Sequence, residues 1–234
     1  MMELKEKQNL VESYDHWWHS IDFGDGVVSN GPKTRQIIER EIDQWGVTPT
    51  LVSGKRVLDI GAWDGVYSFE AEKRGASEVV AIDGFQWDER WNEHPGRWAS
   101  KRGFDIAKEV LNSKVEGVVL DVMDVSVDNI GMFDVIFYFG VLYHLDDPMK
   151  SLRKIYKILN SGGKLLIETQ AKELIGMSNK PIMTFHPKNS LNNDITNMWT
   201  PNTLCLIKMV EEMDLKVTKV SDIIAGRLFL ECEK

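Results

Sequence analysis

Val57-Leu58-Asp59-Ile60-Gly61-Ala62-Trp63-Asp64-Gly65 is the segment from which the architecture can be read. It follows Arg56 as a short, nearly continuous apolar run, the pattern of a strand buried on both faces. It then turns through two glycines into Val66-Tyr67-Ser68-Phe69-Glu70-Ala71-Glu72, which reads as a helix ending near Gly75. Strand, glycine turn and helix together form the first unit expected of a doubly wound α/β fold. In such folds ligands sit beyond the carboxyl ends of the strands, where the strand order reverses.

Beyond this unit the alternation continues. SEVVAID (77–83), GVVLDV (117–122), FDVIFYF (133–139) and GKLLIET (163–169) read as further strands, with helices expected over 100–112, 148–160 and 201–213. The chain closes with LKVTKVSD (215–222) and RLFLECE (227–233), joined through a turn at Ala225-Gly226 rather than a helix. That pair predicts an antiparallel last strand. Upstream, residues 3–18 and 34–45 have helical character, and IDFGDGVVSNGP (21–32) reads as turns around a short strand. The expectation is an α/β, Rossmann-like, doubly wound and mostly parallel sheet with an N-terminal helical lid. It is read as one domain over 1–234: a lid (1–54), a cofactor-binding core (55–170), a loop-rich substrate-side wall (171–200) and a C-terminal helix and strand pair (201–234).

Composition narrows the function classes. Hydrophobic residues make up 43 % of the 234, enough for a substantial core and against global disorder. Lys and Arg number 28 against 36 Asp and Glu, a net charge of -8, which disfavours a protein gripping nucleic acid over most of its surface. Lys150, Arg153, Lys154 and Lys157 have the spacing of a solvated helix face. Cys205 and Cys232 supply neither a disulfide framework nor metal-ligand spacing. The polar start MMELKEKQNL lacks a signal-peptide stretch, and no run has the length of a membrane span, so the expectation is cytoplasmic with no membrane partner.

The chemistry rests on stations at the strand ends. Asp83 closes the second strand, 22 residues after Gly61 (83 − 61), where a carboxylate hydrogen-bonds the ribose hydroxyls of an adenine nucleoside; Gly84 follows it. A dinucleotide needs bare backbone in the turn, yet Gly61, Ala62, Trp63 and Gly65 enclose a bulky indole and the Asp64 carboxylate. A carboxylate is wrong for a pyrophosphate. It suits S-adenosylmethionine, which carries a sulfonium and an ammonium, and Asp59 is placed to orient the turn or reach that ammonium. Asp121 and Val122 fit the adenine amino group and a ring nitrogen, Asp121 also fitting an ordinary helix N-terminal acid. Phe139 and Gly140 can flank the adenosine, while Leu142, Tyr143 and His144 turn toward the substrate.

These residues carry a resemblance. VLDIGAWDG, VVAID, FGVLYHLDDP and GGKLLIET resemble the class I S-adenosylmethionine-dependent methyltransferases over roughly residues 55–234. More narrowly, GVLYHLDDP, NMWTPNTLCLIKMVEEMDL and RLFLE look like the tRNA wobble-uridine carboxymethyltransferase type and its smaller relatives, whose opening WWHSIDFGDGVVSNG also resembles. The tRNA enzymes carry a further N-terminal region not found in these 234 residues. They hold a carboxylated cofactor through a Lys, a Tyr and an Arg. Tyr143 and Arg227 look like matches for two of these, and the Lys position falls in WHSIDF, which contains no Lys. This departure from the family's pattern favours ordinary S-adenosylmethionine.

Methyl transfer needs a nucleophile held close to the methyl and relieved of its proton. Phe139 and Gly140 stand where a catechol-type metal site wants a carboxylate, so no metal is expected; the N/D-P-P-Y/F tetrad of amino-group nucleic-acid enzymes does not occur. O-methylation of a small molecule is the reading, with N-methylation as the open alternative. His144 and His19 are the candidate bases and Tyr143 positions substrate or cofactor; His144 can equally cap the helix near Pro148, and His19 can be a packing residue. Trp18 and Arg227 are candidate substrate contacts. Trp87, Trp91 and Trp98 either wall a pocket or pack a helix on the sheet edge. The rivals are an RNA (tRNA uridine) methyltransferase, a nicotinamide-dependent oxidoreductase and a non-catalytic nucleoside-binding protein.

Overall fold

A computed structural model describes residues 2–93 and 99–234. The chain divides into two compact units, Met1–Asp121 and Val122–Lys234. Trp98 lies outside the described residues.

The first unit is built on three parallel strands, β1 (Arg56–Ile60), β2 (Glu78–Ile82) and β3 (Glu116–Val118), in the order β3-β2-β1. Leu58 pairs with Val80 and Val80 with Glu116. Val57, Leu58, Ala81 and Ile82 are enclosed, so the apolar run of β1 is indeed covered on both faces. Among the helices, α1 (Leu4–Glu12), α2 (Arg35–Trp45) and α3 (Pro49–Val52) precede β1, α4 (Val66–Lys73) follows it, and α5 (Arg102–Leu111) precedes β3. Helix α4 buries Val66, Tyr67, Ser68, Phe69 and Ala71, so it is wrapped in protein rather than laid on a surface. Thr34 caps α2 through Ile37 N, and Gly46 closes it in the left-handed region.

The expected helix over 3–18 stops at Glu12. Beyond it Tyr14 and Trp17 turn inward, and the Trp17 indole donates to the Val11 carbonyl at 3.1 Å, folding the chain back on its own helix. Residues 18–33 run extended on either side of a turn at Gly24, Asp25 and Gly26, all at positive φ, and are tied by single bridges between His19 and Lys33 and between Asp22 and Val28.

The second unit contains α6 (Val127–Ile130), β4 (Phe133–Phe139), α7 (Pro148–Ile158), β5 (Leu159–Gln170), β6 (Met183–Phe185), β7 (Trp199–Pro201), α8 (Thr203–Glu211), β8 (Lys216–Val220) and β9 (Arg227–Glu233). Its main strands lie in the order β4-β5-β9-β8. β4 and β5 are parallel, and β9 is antiparallel to both β5 and β8, as the tight closing turn predicts. Phe133, Phe137, Tyr138, Leu152, Ile155 and Phe229 fill its core. The one polar atom among them is satisfied: Tyr138 Oη lies 2.7 Å from the Ser151 hydroxyl. Asp147 caps α7 through Lys150 N, with Pro148 in the first turn. The region expected to be loop-rich, 171–200, holds one small antiparallel pair, β6 with β7. The chain is an α/β protein of Rossmann-like class, mostly parallel, with an antiparallel last strand.

Candidate active site

In the first unit the glycine turn is a knot of backbone bonds. Gly61 N and Ala62 N both donate to the Ile82 carbonyl, and Gly65 N donates to Ala62 O at 2.7 Å. Between them Trp63 holds φ at +50°, in the left-handed region, where a bulky residue costs about 1–3 kcal/mol. Three groups offset this cost. Asp83 Oδ2 accepts from Trp63 N at 3.1 Å, the Trp87 indole donates to Trp63 O at 2.7 Å, and the Trp63 ring stacks on Trp18 at 5.0 Å and 17°.

Asp83 is a buried carboxylate at the tip of β2, 5 % exposed, accepting also from Phe85 N and Gln86 N through Oδ1. Burial raises its pKa against those three bonds, and Asp121 adds to the rise. Asp59, 2 % exposed, accepts from the Ser68 hydroxyl at 2.5 Å and is pushed up to about 7, chiefly by burial, with Asp83 contributing. Gly84 lets the tip of β2 approach its neighbour. A Cβ there would stand 2.4 Å from the Cα of Asp121. The stations Asp59, Gly61 to Gly65, Asp83, Gly84 and Asp121 are thus gathered at one end of the first unit's strands.

This is also a test of the cofactor. Among the described residues neither Asp59 nor Asp83 makes an ion pair with a Lys or Arg. A buried Asp59 carboxyl without a protein cation fits a ligand that brings its own ammonium, and Asp83 at the strand tip fits ribose hydroxyls.

Asp64 has a different use from the one the sequence suggested. Enclosed at 1 % exposure, its Oδ2 accepts from Trp18 N at 2.7 Å and His19 N at 2.8 Å. The carboxylate fastens the N-terminal segment to the turn. Trp18 stays 41 % exposed while stacked on Trp63. His19 is buried edge-on to Tyr67, its Nδ1 3.4 Å from Asp64 Oδ2. Burial lowers the His19 pKa although Asp64 opposes this, so the ring is held neutral. Trp87 packs on Phe104 at 4.7 Å and is a core residue, whereas Trp91 tilts against Phe85 and donates to Gly84 O.

In the second unit Val122 is buried at the start of a short 3-10 turn, and Phe139 ends β4 stacked on Phe137. Gly140 follows at φ +73° and donates to Glu168 O. A 3-10 turn, Leu142–His144, then presents Tyr143 and His144, whose rings lie 4.1 Å apart. The Tyr143 hydroxyl accepts from Arg227 Nη1 at 3.2 Å, and the guanidinium lies over its ring. Arg227 is forked onto the buried Glu168 through Nε and Nη2. Burial opposes the charge on Arg227, yet Glu168 and Tyr143 together outweigh it and the pKa rises; burial raises that of Tyr143. His144 does not cap α7, since Asp147 does so; its Nδ1 instead faces Thr196, with the carbonyl at 3.0 Å and the hydroxyl at 2.9 Å. Sequence reading missed Thr196, Glu168 and the role of Asp64. Only the carboxylate in the turn carried a signal.

A family model described as a methyltransferase domain matches residues 33–220, most of the chain. The chain belongs to this methyltransferase family. It is a class I S-adenosylmethionine-dependent methyltransferase, and S-adenosylmethionine is its cofactor. This methyltransferase is 34 % identical over 134 residues to the tRNA U34 carboxymethyltransferase of Helicobacter hepaticus, covering 56 % of this chain and 38 % of the relative. It is 32 % identical over 120 residues to that of Campylobacter hominis, covering 50 % and 37 %. The chain therefore spans little more than a third of these curated relatives. The N-terminal domain of EvdMO1, solved in the presence of SAH and D-fucose, shares the fold at a TM-score of 0.66 and 17 % identity, covering 99 % of this chain and 96 % of that one. No described helix of this methyltransferase is long and apolar enough to cross a membrane.

Proposed function

We propose that this methyltransferase methylates an oxygen of a small molecule, with His144 as general base and no metal. S-adenosylmethionine, when bound, supplies a methyl carbon on a positive sulfur. Asp83 is assigned to the ribose hydroxyls, Asp59 and the Gly61–Gly65 turn to the charged amino-acid end, and Asp121 with Val122 to the adenine. Phe139 and Gly140 flank the adenosine. Trp18 and Tyr143 contact the acceptor, and residues 1–54 serve as a lid on the turn through the Asp64 clasp.

The observation that carries the reading is His144 itself. Its Nδ1 faces the carbonyl of Thr196, an acceptor only, so that nitrogen carries the proton and the basic lone pair falls on Nε2. Nε2 is the atom that would take the hydroxyl proton of the acceptor; the cofactor, when bound, would supply the methyl group to that oxygen and leave as the neutral sulfide. A neutral His19, packed on Tyr67, is the weaker candidate.

Arg227 supports the ordinary cofactor. Its charge is matched by Glu168, so a carboxylated cofactor would meet a carboxylate together with the cation. The tRNA reading keeps one specific support, the named activity of the sequence relatives. The SAH and D-fucose of the structural neighbour favour a small acceptor.

The test is methyl-labelled S-adenosylmethionine offered with a small-metabolite extract and, separately, with bulk tRNA. Label in a base-stable methyl ether is expected; label confined to tRNA would overturn the small-molecule reading. With the labelled acceptor, His144→Ala should cut turnover by about 10²–10⁴ while S-adenosylhomocysteine affinity is unchanged. Unchanged turnover would remove His144 as base.

A further inference from the structure

We propose that Thr196 is a positioning residue that locks His144 into the Nδ1–H tautomer, and that Asp194 sets Thr196 in the state needed to do so. This deepens the reading of His144 as base and rests on it for its catalytic meaning.

Proton counting fixes each role. A carboxylate only accepts, a backbone carbonyl only accepts, and a threonine hydroxyl has one hydrogen to give. Asp194 Oδ1 lies 2.7 Å from Thr196 Oγ1 and 2.8 Å from Thr196 N, so it takes both the hydroxyl hydrogen and the amide hydrogen. The hydroxyl's hydrogen is then committed, and Oγ1 can meet His144 Nδ1, 2.9 Å away, only as an acceptor. The Thr196 carbonyl, 3.0 Å from the same nitrogen, is a second acceptor. Two oxygens converge on Nδ1, and only an N–H satisfies them. The other tautomer would set a nitrogen lone pair against two oxygens.

The segment carrying Thr196 is fastened on its C-terminal side to the turn carrying His144. Met198 N donates to Tyr143 O at 2.9 Å, and the Trp199 indole donates to Leu145 O at 3.0 Å. These bonds reach the residues immediately before and after His144, so the register of Thr196 against the imidazole is built into the fold. The same Nδ1–H contacts serve the imidazolium, because protonation adds its hydrogen at Nε2. Asp194, one hydroxyl removed, offers a negative charge to that cation. The arrangement does in relay what a carboxylate bonded directly to a catalytic histidine does in one step.

Two-bond ¹H–¹⁵N spectra of the full chain, labelled at histidine, read the tautomer without any acceptor substrate. Wild type is expected to show His144 as the Nδ1–H form near neutral pH. Thr196→Val should raise the Nε2–H population relative to Nδ1–H by about five- to tenfold, the weight of one hydrogen bond. Thr196→Ser should restore the wild-type ratio, and Asp194→Ala should shift it in the same direction as the valine. An Nε2–H form in wild type, or an unchanged ratio in a folded Thr196→Val protein, overturns the proposal. If Thr196→Val does not fold, the ratio in wild type against Asp194→Ala decides. The base reading fails separately: should His144→Ala leave turnover intact, the tautomer result still stands and only its catalytic meaning is lost.

Discussion

Asp59 shows how one buried carboxylate couples folding, cofactor and pH. Burial holds its pKa up to about 7, well above its ordinary value of 3.8. Between those values the folded chain keeps a proton that the unfolded chain has released. The folded state therefore binds more protons, and its stability falls as pH rises through this window. His19 acts in the opposite sense. Its pKa is lowered by burial, so acidification below 6.5 favours the unfolded chain and stability rises with pH up to that value. Asp59→Asn isolates the first effect. Wild type should show a decline in melting temperature once the His19 rise is complete, roughly above pH 6.5, and the variant should show a shallower one, the remainder belonging to Asp83, whose pKa burial also raises. A cationic ligand favours the ionised carboxylate, so S-adenosylmethionine affinity measured by calorimetry should rise with pH through about 7 in wild type and be flat in the variant. Equal slopes would show that Asp59 does not feel the ligand. The sequence made Asp59 and Asp83 legible because both sit at fixed places relative to a glycine turn. It did not reveal Thr196, because the pairing with His144 spans 52 residues and depends on how 194–199 is folded.

Among the elements, the strands were readable and the segments between them less so. RVLDI and FDVIFYF are apolar enough to be strands in almost any context, and the fold places them so. The helix expected over 3–18 failed at Glu12 because two aromatics within its period, Tyr14 and Trp17, are buried by a chain reversal instead. The β6–β7 pair was invisible for a related reason: MTF and WTP are three residues each, too short for a period-two pattern. The N-terminal segment is the element most dependent on a single group. Asp64 accepts both amides of Trp18 and His19, the backbone's tie to the turn beside the stacking of the Trp18 ring on Trp63. Asp64→Ala should leave two amides buried without an acceptor and destabilise the chain by about 2–4 kcal/mol. Hydrogen exchange at Trp18 and His19 should quicken far more than exchange in β1 and β2, and the Trp18–Trp63 stack should show a changed fluorescence. Uniform acceleration across the first unit would mean that Asp64 is a core residue and not a clasp.

For the chain taken as a whole, the question is whether a protein of net charge -8 can work on RNA. Its sequence relatives are named for a tRNA activity, but they are matched over only 38 % and 37 % of their length. Charge and likeness therefore point in different directions, and salt dependence separates them. Each phosphate neutralised by a Lys or Arg steepens the fall of log K with log salt by about 0.7–0.9. One basic face is that of α7, where Lys150, Arg153 and Lys157 are exposed and none is ion-paired among the described residues. Three cations surrounded by an acid excess give a shallow slope, no steeper than about -2 to -3. The expected result with bulk tRNA is binding weaker than about 10 μM at physiological salt, within the non-specific range. Reversing the three α7 charges to Glu should abolish even that without changing S-adenosylhomocysteine affinity. A slope steeper than about -5, with tight binding that survives the reversals, would place phosphate contacts elsewhere on the chain and make RNA the acceptor. Tight binding removed by the reversals would also make RNA the acceptor, with α7 as the docking helix. Only weak, shallow binding is consistent with a small acceptor, because a base working on a metabolite has no use for a phosphate-tracking face.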